Sequence, residues 1–346
     1  MKTIVYLYTE IMPYQTIIFN EYSKLGYVVH AFYLDKIKQT PFTPNAINNV
    51  FYYPTSIFNR GKLLNKIIEL NPDILLVCGW SNREYLKIAR YFNKKKSIPV
   101  ISPIDTQFSK RLKQYLGFIF SFIYIKSAFS HIWVPGYRQY EFARLLGYSR
   151  KNIIFNSLSA DVELFEKVTL IQKEDRYPKR FLFVGRFHSV KGLDLLINTW
   201  DSIKDKNGWV LTLIGNGPEK KNLQSIKNIE ILDFLDQKYL VKMAQESGCF
   251  ILPSLYEPWA LVIHEFACAG LPIICSDACG ASDTFVVNGF NGYNFRAGNK
   301  DDLKCKIETI INCNEKELLR MSLNSRKLGQ RITPEISAAS FLSLLK

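Results

Sequence analysis

The sequence predicts an α/β protein made of two doubly wound domains, each a parallel sheet covered by helices on both faces. The chain has 346 residues, too many for one ordinary core and suitable for two domains of about 150 residues each. Short runs that are apolar throughout alternate with longer amphipathic segments, a pattern typical of strands buried on both faces. This rhythm weakens once, at Leu164–Tyr177, near the middle of the chain.

The first half contains apolar runs that we interpret as strands, with helical stretches between them. The predicted strands are Ile4–Leu7, Val28–Leu34, Ile74–Val77, Pro99–Ser102 and His131–Val134. A representative helix is Glu84–Phe92, where apolar side chains recur at helical spacing.

The second half resumes the same alternation after the charged, aperiodic stretch. The predicted strands are Arg180–Val184, Trp209–Ile214, Ile229–Leu232, Cys249–Leu252 and Pro272–Cys275. We therefore expect a first domain over residues 1–163, a linker over 164–178, a second domain over 179–332 and a terminal helix over 333–346 that packs back toward the first domain. Two such domains facing each other leave a cleft, and ligands bind beyond the carboxyl ends of the strands in such sheets.

The composition excludes a disordered chain and gives no sign of export. Apolar residues make up 47% of the sequence, enough for sizeable cores. The first apolar run meets Glu10 almost at once and reads as a buried strand, not a signal peptide. The seven cysteines form an odd set without a ladder of spacings, which favours reduced thiols in a cytosolic protein over disulfides or a structural zinc site.

Positive charge is concentrated in the first half. Residues 1–165 hold 21 Lys and Arg against 10 Asp and Glu, whereas residues 166–346 hold 24 against 21. Such a half suits an anionic partner, which could be nucleic acid, a membrane surface or a phosphorylated substrate. Simple solubility is the alternative, and charge alone does not decide between them.

Two loops in the second half place glycines at strand ends, and the first of them also carries cations. The loop Gly185–Gly192 follows a predicted strand and carries Arg186 and Lys191, a pair suited to phosphate oxygens or simply solvated. The turn Gly215–Pro218 follows the next strand and can present amides to a phosphate. It lacks the third glycine of a dinucleotide fingerprint, so this segment by itself favours a plain turn over a phosphate site.

The most informative segment runs from Glu257 to Glu265, between a predicted strand and a predicted helix, Ala260–Ala269. Two carboxylates eight residues apart at this junction can accept hydrogen bonds from the hydroxyls of a sugar and a ribose. The free amides of the first helical turn favour an anion. Glu265 stands among apolar residues, where an unpaired charge is costly, so we favour a functional role over a solvated surface.

This segment resembles the E-x7-E motif of the retaining glycosyltransferases of family 4, which have the GT-B fold of two Rossmann-like domains. The resemblance is dense from Arg180 to Phe295 and loose before residue 130. Members often carry glycine where Ala260 stands, and the loop Glu10–Tyr14 lacks the glycine pair common in relatives. The other matching segments, in chain order, are Val134-Pro135-Gly136, Asn156…Asp161…Phe165, Gly185–Gly192, Gly215–Pro218, Ser276-Asp277…Gly280 and Gly289–Tyr293.

The resemblance implies a site for a nucleoside-diphosphate sugar, either a UDP- or a GDP-sugar, as donor substrate, with no cofactor and no divalent metal. Arg186 and Lys191 would hold the diphosphate, and no D-x-D triplet is present to bring a metal there. Glu265 would bind the ribose and Glu257 the transferred sugar. Trp259 and His264 would shape the choice of donor. The remaining implied donor-binding positions are Gly185, Gly215, Asn216, Phe234, Leu235, Trp259, Ala260 and Leu261, with the base resting near Asp233–Leu235.

Two features of the first half suggest how an acceptor is bound. Asp105 ends a predicted strand and either contacts the acceptor or the reacting sugar, as a further catalytic residue, or caps the next helix. The segment Lys110–Lys126 places cations at both ends of the apolar stretch Tyr115–Ile125, which is too short to span a bilayer. It fits an interfacial helix on anionic lipid or a buried core helix.

The sequence thus leads to a retaining, metal-independent GT-B glycosyltransferase, with a lipid-linked oligosaccharide as acceptor in bacterial lipopolysaccharide or capsule biosynthesis. We expect it at the cytoplasmic face of the inner membrane. Two alternatives remain open at this point. One is a nucleotide-sugar epimerase of the same architecture, which needs no acceptor. The other is a basic nucleic-acid-binding protein, which predicts steeply salt-dependent binding.

Overall fold

The computed structural model describes residues 1–36, 42–59, 61–96, 98–109, 112–220 and 229–345. The chain divides into two compact units, one formed by Met1–Ser159 with Thr333–Lys346 and the other by Ala160–Ile332. The first unit therefore contains segments from both ends of the chain, and the second is one continuous segment.

The first unit is built on a seven-stranded sheet. The strands lie in the order β3-β2-β1-β4-β5-β6-β7, all neighbours are parallel, and the order reverses between β1 and β4 as in a doubly wound sheet. The strands are β1 (Thr3–Tyr8), β2 (Val28–Tyr33), β3 (Val50–Pro54), β4 (Ile74–Val77), β5 (Val100–Pro103), β6 (His131–Trp133) and β7 (Ile153–Ile154). The helices between them are α1 (Pro13–Lys24), α2 (Lys62–Leu70), α3 (Arg83–Tyr91), α4 (Leu112–Tyr124) and α5 (Tyr137–Leu145).

Both faces of this sheet are buried. Val5 and Leu7 of β1 belong to one apolar cluster, whereas Ile4 and Tyr6, which point the other way, belong to a second. Because each face is covered, neither face needs polar residues. The strands consequently read as continuous apolar runs, which is why the sequence reveals them.

The second unit is built on a six-stranded parallel sheet in the order β10-β9-β8-β11-β12-β13. The order reverses between β8 and β11. The strands are β8 (Arg180–Val184), β9 (Val210–Ile214), β10 (Ile229–Leu232), β11 (Cys249–Leu252), β12 (Ile273–Ser276) and β13 (Gly292–Phe295). The helices are α6 (Val162–Phe165), α7 (Gln172–Asp175), α8 (Leu193–Ser202), α9 (Gln237–Gln245), α10 (Leu261–Cys268), α11 (Ser282–Phe285), α12 (Lys300–Asn312) and α13 (Glu315–Gly329).

The predicted fold class, two Rossmann-like parallel-sheet domains, is confirmed. The strands predicted from apolar runs are all present, four of them, β4, β8, β10 and β11, to the residue. Two further strands, β3 and β7, lie at the edges of the first sheet. The pattern does not show them because β3 exposes 48% of Phe51 and β7 has only two residues.

Residues 164–178, the predicted linker, pack within the second unit. Phe165 lies edge-to-face on Phe266 with ring centroids 6.0 Å apart. The Lys173 ammonium is buried and donates to the carbonyls of Ala244 and Ser247 at 3.1 and 2.7 Å, at the end of α9. Burial lowers the pKa of Lys173 to about 7.

The terminal helix α14 (Pro334–Leu342) belongs to the first unit. Its Phe341 is buried against the rings of Tyr6, Tyr22 and Trp133, with centroids 5.0 to 5.7 Å apart. These contacts place the helix on the cluster that includes Ile4 and Tyr6.

Candidate functional site

The sheet order of the second unit gathers most predicted site residues at one edge. Strands β9, β8 and β11 are neighbours, and the carboxyl ends of parallel strands meet at the same edge of a sheet. The predicted residues follow these strands and β10: Gly185, Arg186 and Lys191 after β8; Gly215 and Asn216 after β9; Phe234 and Leu235 after β10; Glu257, Trp259, Ala260, Leu261 and Glu265 after β11.

The two glycine loops lie against each other through their backbones. The Gly185 amide donates to Ile214 at 3.0 Å and the Phe187 amide to Asn216 at 2.8 Å. A Cβ on Gly215, whose φ is +154°, would lie 1.9 Å from the Gly185 carbonyl oxygen. Glycine is therefore required at this turn by close packing of the chain, independently of any phosphate.

Lys191 and Glu257 form an ion pair between Nζ and Oε2, with side chains only 16% and 15% exposed. The same two loops are joined nearby by the backbone, since the Leu255 amide donates to the Val190 carbonyl at 2.7 Å. A partly buried pair is screened less by water and salt than an exposed one. Two residues that the sequence assigned to different parts of a ligand thus contact each other directly.

Arg186 differs from Lys191 in its surroundings. Its side chain is exposed, and among the residues that the structure describes no carboxylate pairs with it. A guanidinium in this position keeps its donors for an external anion, and it can bind two phosphate oxygens at once.

Glu265 is buried on α10, with 8% of its surface exposed. Its Oε1 accepts a hydrogen bond from Nε2 of Gln237 at 2.9 Å. Burial, and to a smaller extent the charge of Asp161, raise the pKa of Glu265 to about 7, against the opposite effect of that hydrogen bond. Sequence reasoning missed Gln237. Its position just after the predicted base-binding segment, at the start of a helix, could have indicated that it lies near the site.

The amino end of α10 is open to an external acceptor. The cap residue, Ala260, offers no side-chain hydrogen bond to the first turn. Its φ of +76° is a left-handed conformation that favours glycine. The amides of Leu261 and Val262 begin the helix, where its dipole favours an anion.

Trp259 and His264 take structural positions. Trp259 is 3% exposed and its ring lies edge-to-face on Phe285, so the backbone is the part available to a ligand. The Trp259 carbonyl accepts from the Ala281 amide at 2.7 Å, which ties this loop to the segment after β12.

The prediction that His264 shapes donor choice is wrong. The ring is fully buried and stacked on Phe285, with centroids 4.1 Å apart. Its Nδ1 accepts from the Ala160 amide at 3.1 Å, so the proton lies on Nε2, which donates to the Gly329 carbonyl at 2.8 Å. Burial lowers the pKa of this imidazole to about 4, so it is neutral and holds the unit together.

The segment after β10 presents an exposed aromatic surface. Phe234 is 61% exposed, and the neighbouring Asp233 forms an ion pair with Lys220. A flat, exposed aromatic ring after β10 suits a stacked base. The sequence interpretation emphasised only the backbone of this segment.

Asp105 lies in the first unit, two residues after β5. It does not cap the next helix, because α4 begins at Leu112, so that alternative is wrong. Burial raises the pKa of the Cys78 thiol to about 11, and the charge of Asp105 adds to this increase. Burial and Asp105 likewise raise the pKa values of Tyr8 and Tyr14. Sequence reasoning missed these three neighbours, which lie at the end of β1, in the first turn of α1 and just after β4.

The described residues contain no group of three or more His, Cys, Asp or Glu side chains arranged to hold a metal ion. Nor does any helix within the described ranges have the length and apolar character needed to cross a bilayer.

Comparison with known families gives a match over residues 166–328, to the family of glycosyl transferases group 1. The matched segment lies within the second unit and includes every candidate residue of that unit. The first unit, which contains Asp105, lies outside the match.

Curated relatives point the same way. A protein of the cps region of Klebsiella pneumoniae is 27% identical over 242 residues, 66% of each chain. An uncharacterized glycosyltransferase of Methanocaldococcus jannaschii is 29% identical over 160 residues, 44% of each chain. An O-antigen biosynthesis glycosyltransferase of Escherichia coli is 27% identical over 139 residues, 37% of this chain and 38% of that protein. The chain thus spans less than two thirds of the length of each relative.

Solved structures resemble the whole chain. Anabaena HepE in complex with UDP-glucose has a TM-score of 0.71 at 16% identity, covering 99% of this chain and all of the other. An Escherichia coli structure described as trehalose-6-phosphate bound with UDP-2-fluoro glucose has a TM-score of 0.76 at 11% identity, covering 99% of each. At these identities the likeness concerns the fold, and it confirms the GT-B fold. The family match and the relatives support the predicted enzyme class, a glycosyltransferase.

Proposed function

We propose that this protein is a retaining glycosyltransferase that moves a sugar from a nucleoside-diphosphate sugar to an acceptor hydroxyl. The observation that carries the proposal is the position of Arg186, Lys191 and Glu257 on loops at the carboxyl edge of the second sheet, with Glu265 on the helix that follows. Cations for a diphosphate and carboxylates for hydroxyls stand together there, inside the segment that matches the glycosyl transferases group 1.

Each part of the donor has a partner in this arrangement. Arg186 and Lys191 bind the diphosphate, together with the first-turn amides of α10. Glu265 accepts hydrogen bonds from the ribose, and Glu257 from the transferred sugar. The base rests on the segment that contains Phe234 and Leu235, beside Gly215 and Asn216.

The reaction proceeds on one face of the sugar. The bond between the anomeric carbon and the diphosphate oxygen breaks, and the acceptor oxygen forms its bond from the same side. The acceptor proton passes to the departing diphosphate, so the anomeric configuration is retained. Arg186 and Lys191 neutralise the charge that develops on the diphosphate, and we expect transfer to persist in the presence of a metal chelator.

The acceptor is a lipid-linked oligosaccharide used in bacterial surface-polysaccharide biosynthesis. Relatives from a cps region and from O-antigen biosynthesis support this choice. Complexes of fold neighbours with UDP-sugars make a UDP-sugar the first donor to examine, before GDP-sugars. Asp105 would contact the acceptor or the reacting sugar.

The first unit would meet the cytoplasmic face of the inner membrane through α4. Tyr115, Ile123 and Tyr124 are 48%, 74% and 43% exposed on this helix, and the Arg90 guanidinium lies 5.0 Å from the Tyr124 ring. Lys94–Lys96 follow Arg90 along the chain. Exposed aromatic and aliphatic side chains beside cations suit an anionic lipid surface. Lys110 and Arg111, at the start of the predicted interfacial segment, lie outside the described residues.

Vesicle sedimentation tests this surface. We expect the protein to bind vesicles that contain phosphatidylglycerol, and Ile123→Glu to weaken that binding about tenfold because a charge enters the apolar contact. Ile171→Glu is the matched control, since Ile171 is 71% exposed but lies in the second unit. Equal effects of the two substitutions, or no binding by the unmodified protein, would exclude this role for α4.

The donor proposal is tested by thermal shift against a panel of nucleoside diphosphates and nucleotide sugars. We expect at least one UDP or GDP compound to stabilise the protein, and Arg186→Ala and Glu265→Ala to lose that response while remaining folded. Incubation with a stabilising donor alone then separates transfer from epimerisation, because an epimerase isomerises the sugar without an acceptor. No stabilisation by any compound of the panel would refute the donor site.

A further inference from the structure

The Lys191–Glu257 ion pair occupies two groups that the proposed function assigns to different parts of the donor. The pair is held in place by the fold. Leu255 and Val190 are joined by a backbone hydrogen bond of 2.7 Å, and a Cβ on Gly192 would lie 2.2 Å from the Pro253 carbonyl oxygen. The loops on which the two side chains stand are thus packed too closely to separate without breaking these contacts.

Because of this ion pair, the Glu257 carboxylate and the diphosphate of a donor compete for the Lys191 ammonium. A diphosphate that approaches Lys191 also approaches the Glu257 carboxylate, and like charges at such short range repel. Both side chains are largely shielded from water, so solvent screens this repulsion poorly. Arg186, by contrast, is exposed and has no carboxylate partner among the described residues, so it can take up the diphosphate first.

We propose that the Lys191–Glu257 pair is a lock that the diphosphate of the donor opens. The diphosphate, first held by Arg186, captures Lys191, and the released Glu257 carboxylate turns to accept hydrogen bonds from the hydroxyls of the transferred sugar. This inference rests on the proposed function and adds an order of events to it. The sugar subsite is complete only after the diphosphate has bound, so a free sugar does not bind on its own.

The lock makes an unusual prediction about a residue of the binding site. Glu257→Gln frees Lys191 and should therefore tighten the binding of a nucleoside diphosphate about fivefold, as expected for a partly buried pair worth about 1 kcal/mol. The same variant loses the carboxylate that holds the sugar. The ratio of the affinities for the nucleotide sugar and the diphosphate should consequently fall.

Titration calorimetry with UDP, GDP and UDP-glucose measures both effects on the full chain. Glu257→Asp is the discriminating variant, because it keeps the negative charge but shortens the side chain and loosens the pair. A lock predicts tighter diphosphate binding in both variants, whereas simple repulsion predicts it only in Glu257→Gln. In a Lys191→Gln background, Glu257→Gln should tighten diphosphate binding much less than it does alone, because only the repulsion is then removed and no ion pair is opened.

The outcomes separate the two proposals. If UDP or GDP binds the unmodified protein but neither Glu257 variant binds it more tightly, the lock is wrong and the donor site stands. If Glu257→Gln tightens binding equally in the Lys191→Gln background, the effect is repulsion and the lock is again wrong. If neither diphosphate binds the unmodified protein at millimolar concentration, the lock and the donor site fall together. Matching thermal unfolding curves confirm that each variant is folded.

Discussion

Replacing Glu265 by glutamine tests the electrostatics of the candidate site. The substitution keeps the shape of the side chain, and the new amide oxygen can still accept the hydrogen bond from Gln237. It removes only the ability to ionise. The Glu265 side chain is buried and its partner, Gln237, is neutral, so ionisation of the carboxyl destabilises the folded protein. The glutamine variant cannot ionise and avoids this destabilisation.

The size and sign of the effect follow from the pKa. Glu265 ionises near 4.5 in an unfolded chain, whereas in the folded protein its pKa is raised to about 7. Between these values the folded state binds more protons than the unfolded state, so the stability of the unmodified protein falls as the pH rises. At about 1.4 kcal/mol per pH unit, the loss approaches about 3 kcal/mol above pH 7. Glu265→Gln should match the unmodified protein near pH 4 and exceed its stability at pH 8.

Urea unfolding at a series of pH values measures this difference. Glu174→Gln is the control, since Glu174 is exposed on α7 and its charge is solvated in both states. The reasoning is refuted if the difference in the free energy of unfolding between Glu265→Gln and the unmodified protein does not grow with pH.

The raised pKa of Glu265 also predicts proton release on binding. Ribose hydroxyls that donate to the carboxylate favour its charged form, so nucleotide binding near pH 7 should release a proton. Calorimetry in buffers of different ionisation enthalpy detects that release.

Three further substitutions test other parts of the site. Arg186→Ala should leave the free energy of unfolding within about 0.5 kcal/mol of that of the unmodified protein, because the side chain is exposed. It should weaken diphosphate binding by about 2 kcal/mol in calorimetry, because charge-assisted hydrogen bonds are lost. An unchanged affinity contradicts the assignment. Gly215→Ala should cost about 3 kcal/mol in urea unfolding, since its Cβ would overlap the Gly185 carbonyl; a neutral effect contradicts the close packing. His264→Ala should cost about 3 kcal/mol by removing the ring that packs on Phe285 and its hydrogen bonds with the Ala160 amide and the Gly329 carbonyl, without changing the order of preference among donors.

Local signals in the sequence account for the parts of the fold that were predicted. The strand β8 and the loop after it could be located because an apolar run ends at Gly185, and such a boundary depends on a few adjacent residues. The edge strand β3 could not, because Phe51 is exposed and the run lacks the two-sided burial that defines the inner strands. The left-handed conformation of Ala260 could not be predicted either, because only the backbone geometry reveals it.

The contacts within the candidate site could not be predicted, because they join residues distant in the chain. Glu265 and Gln237 are 28 positions apart, and Lys191 and Glu257 are 66 apart. Which of them meet depends on the strand order β10-β9-β8-β11, which no local pattern specifies. His264 is the clearest case. We expected it to shape the choice of donor, whereas packing against Phe285 and two backbone hydrogen bonds make it part of the core.

By itself the sequence determined the fold class and the loops that bear charge at strand ends, because burial and turn chemistry depend on neighbouring residues. It also proposed the residues from Glu257 to Glu265 as the centre of the candidate site. The tertiary structure alone decided the state of those charges. It bound Lys191 to Glu257, left Arg186 exposed and placed Glu265 beside an amide in a setting that raises its pKa to about 7. The physical reason is that a charge is governed by the groups and the solvent around it in space, and chain folding brings those together from distant positions.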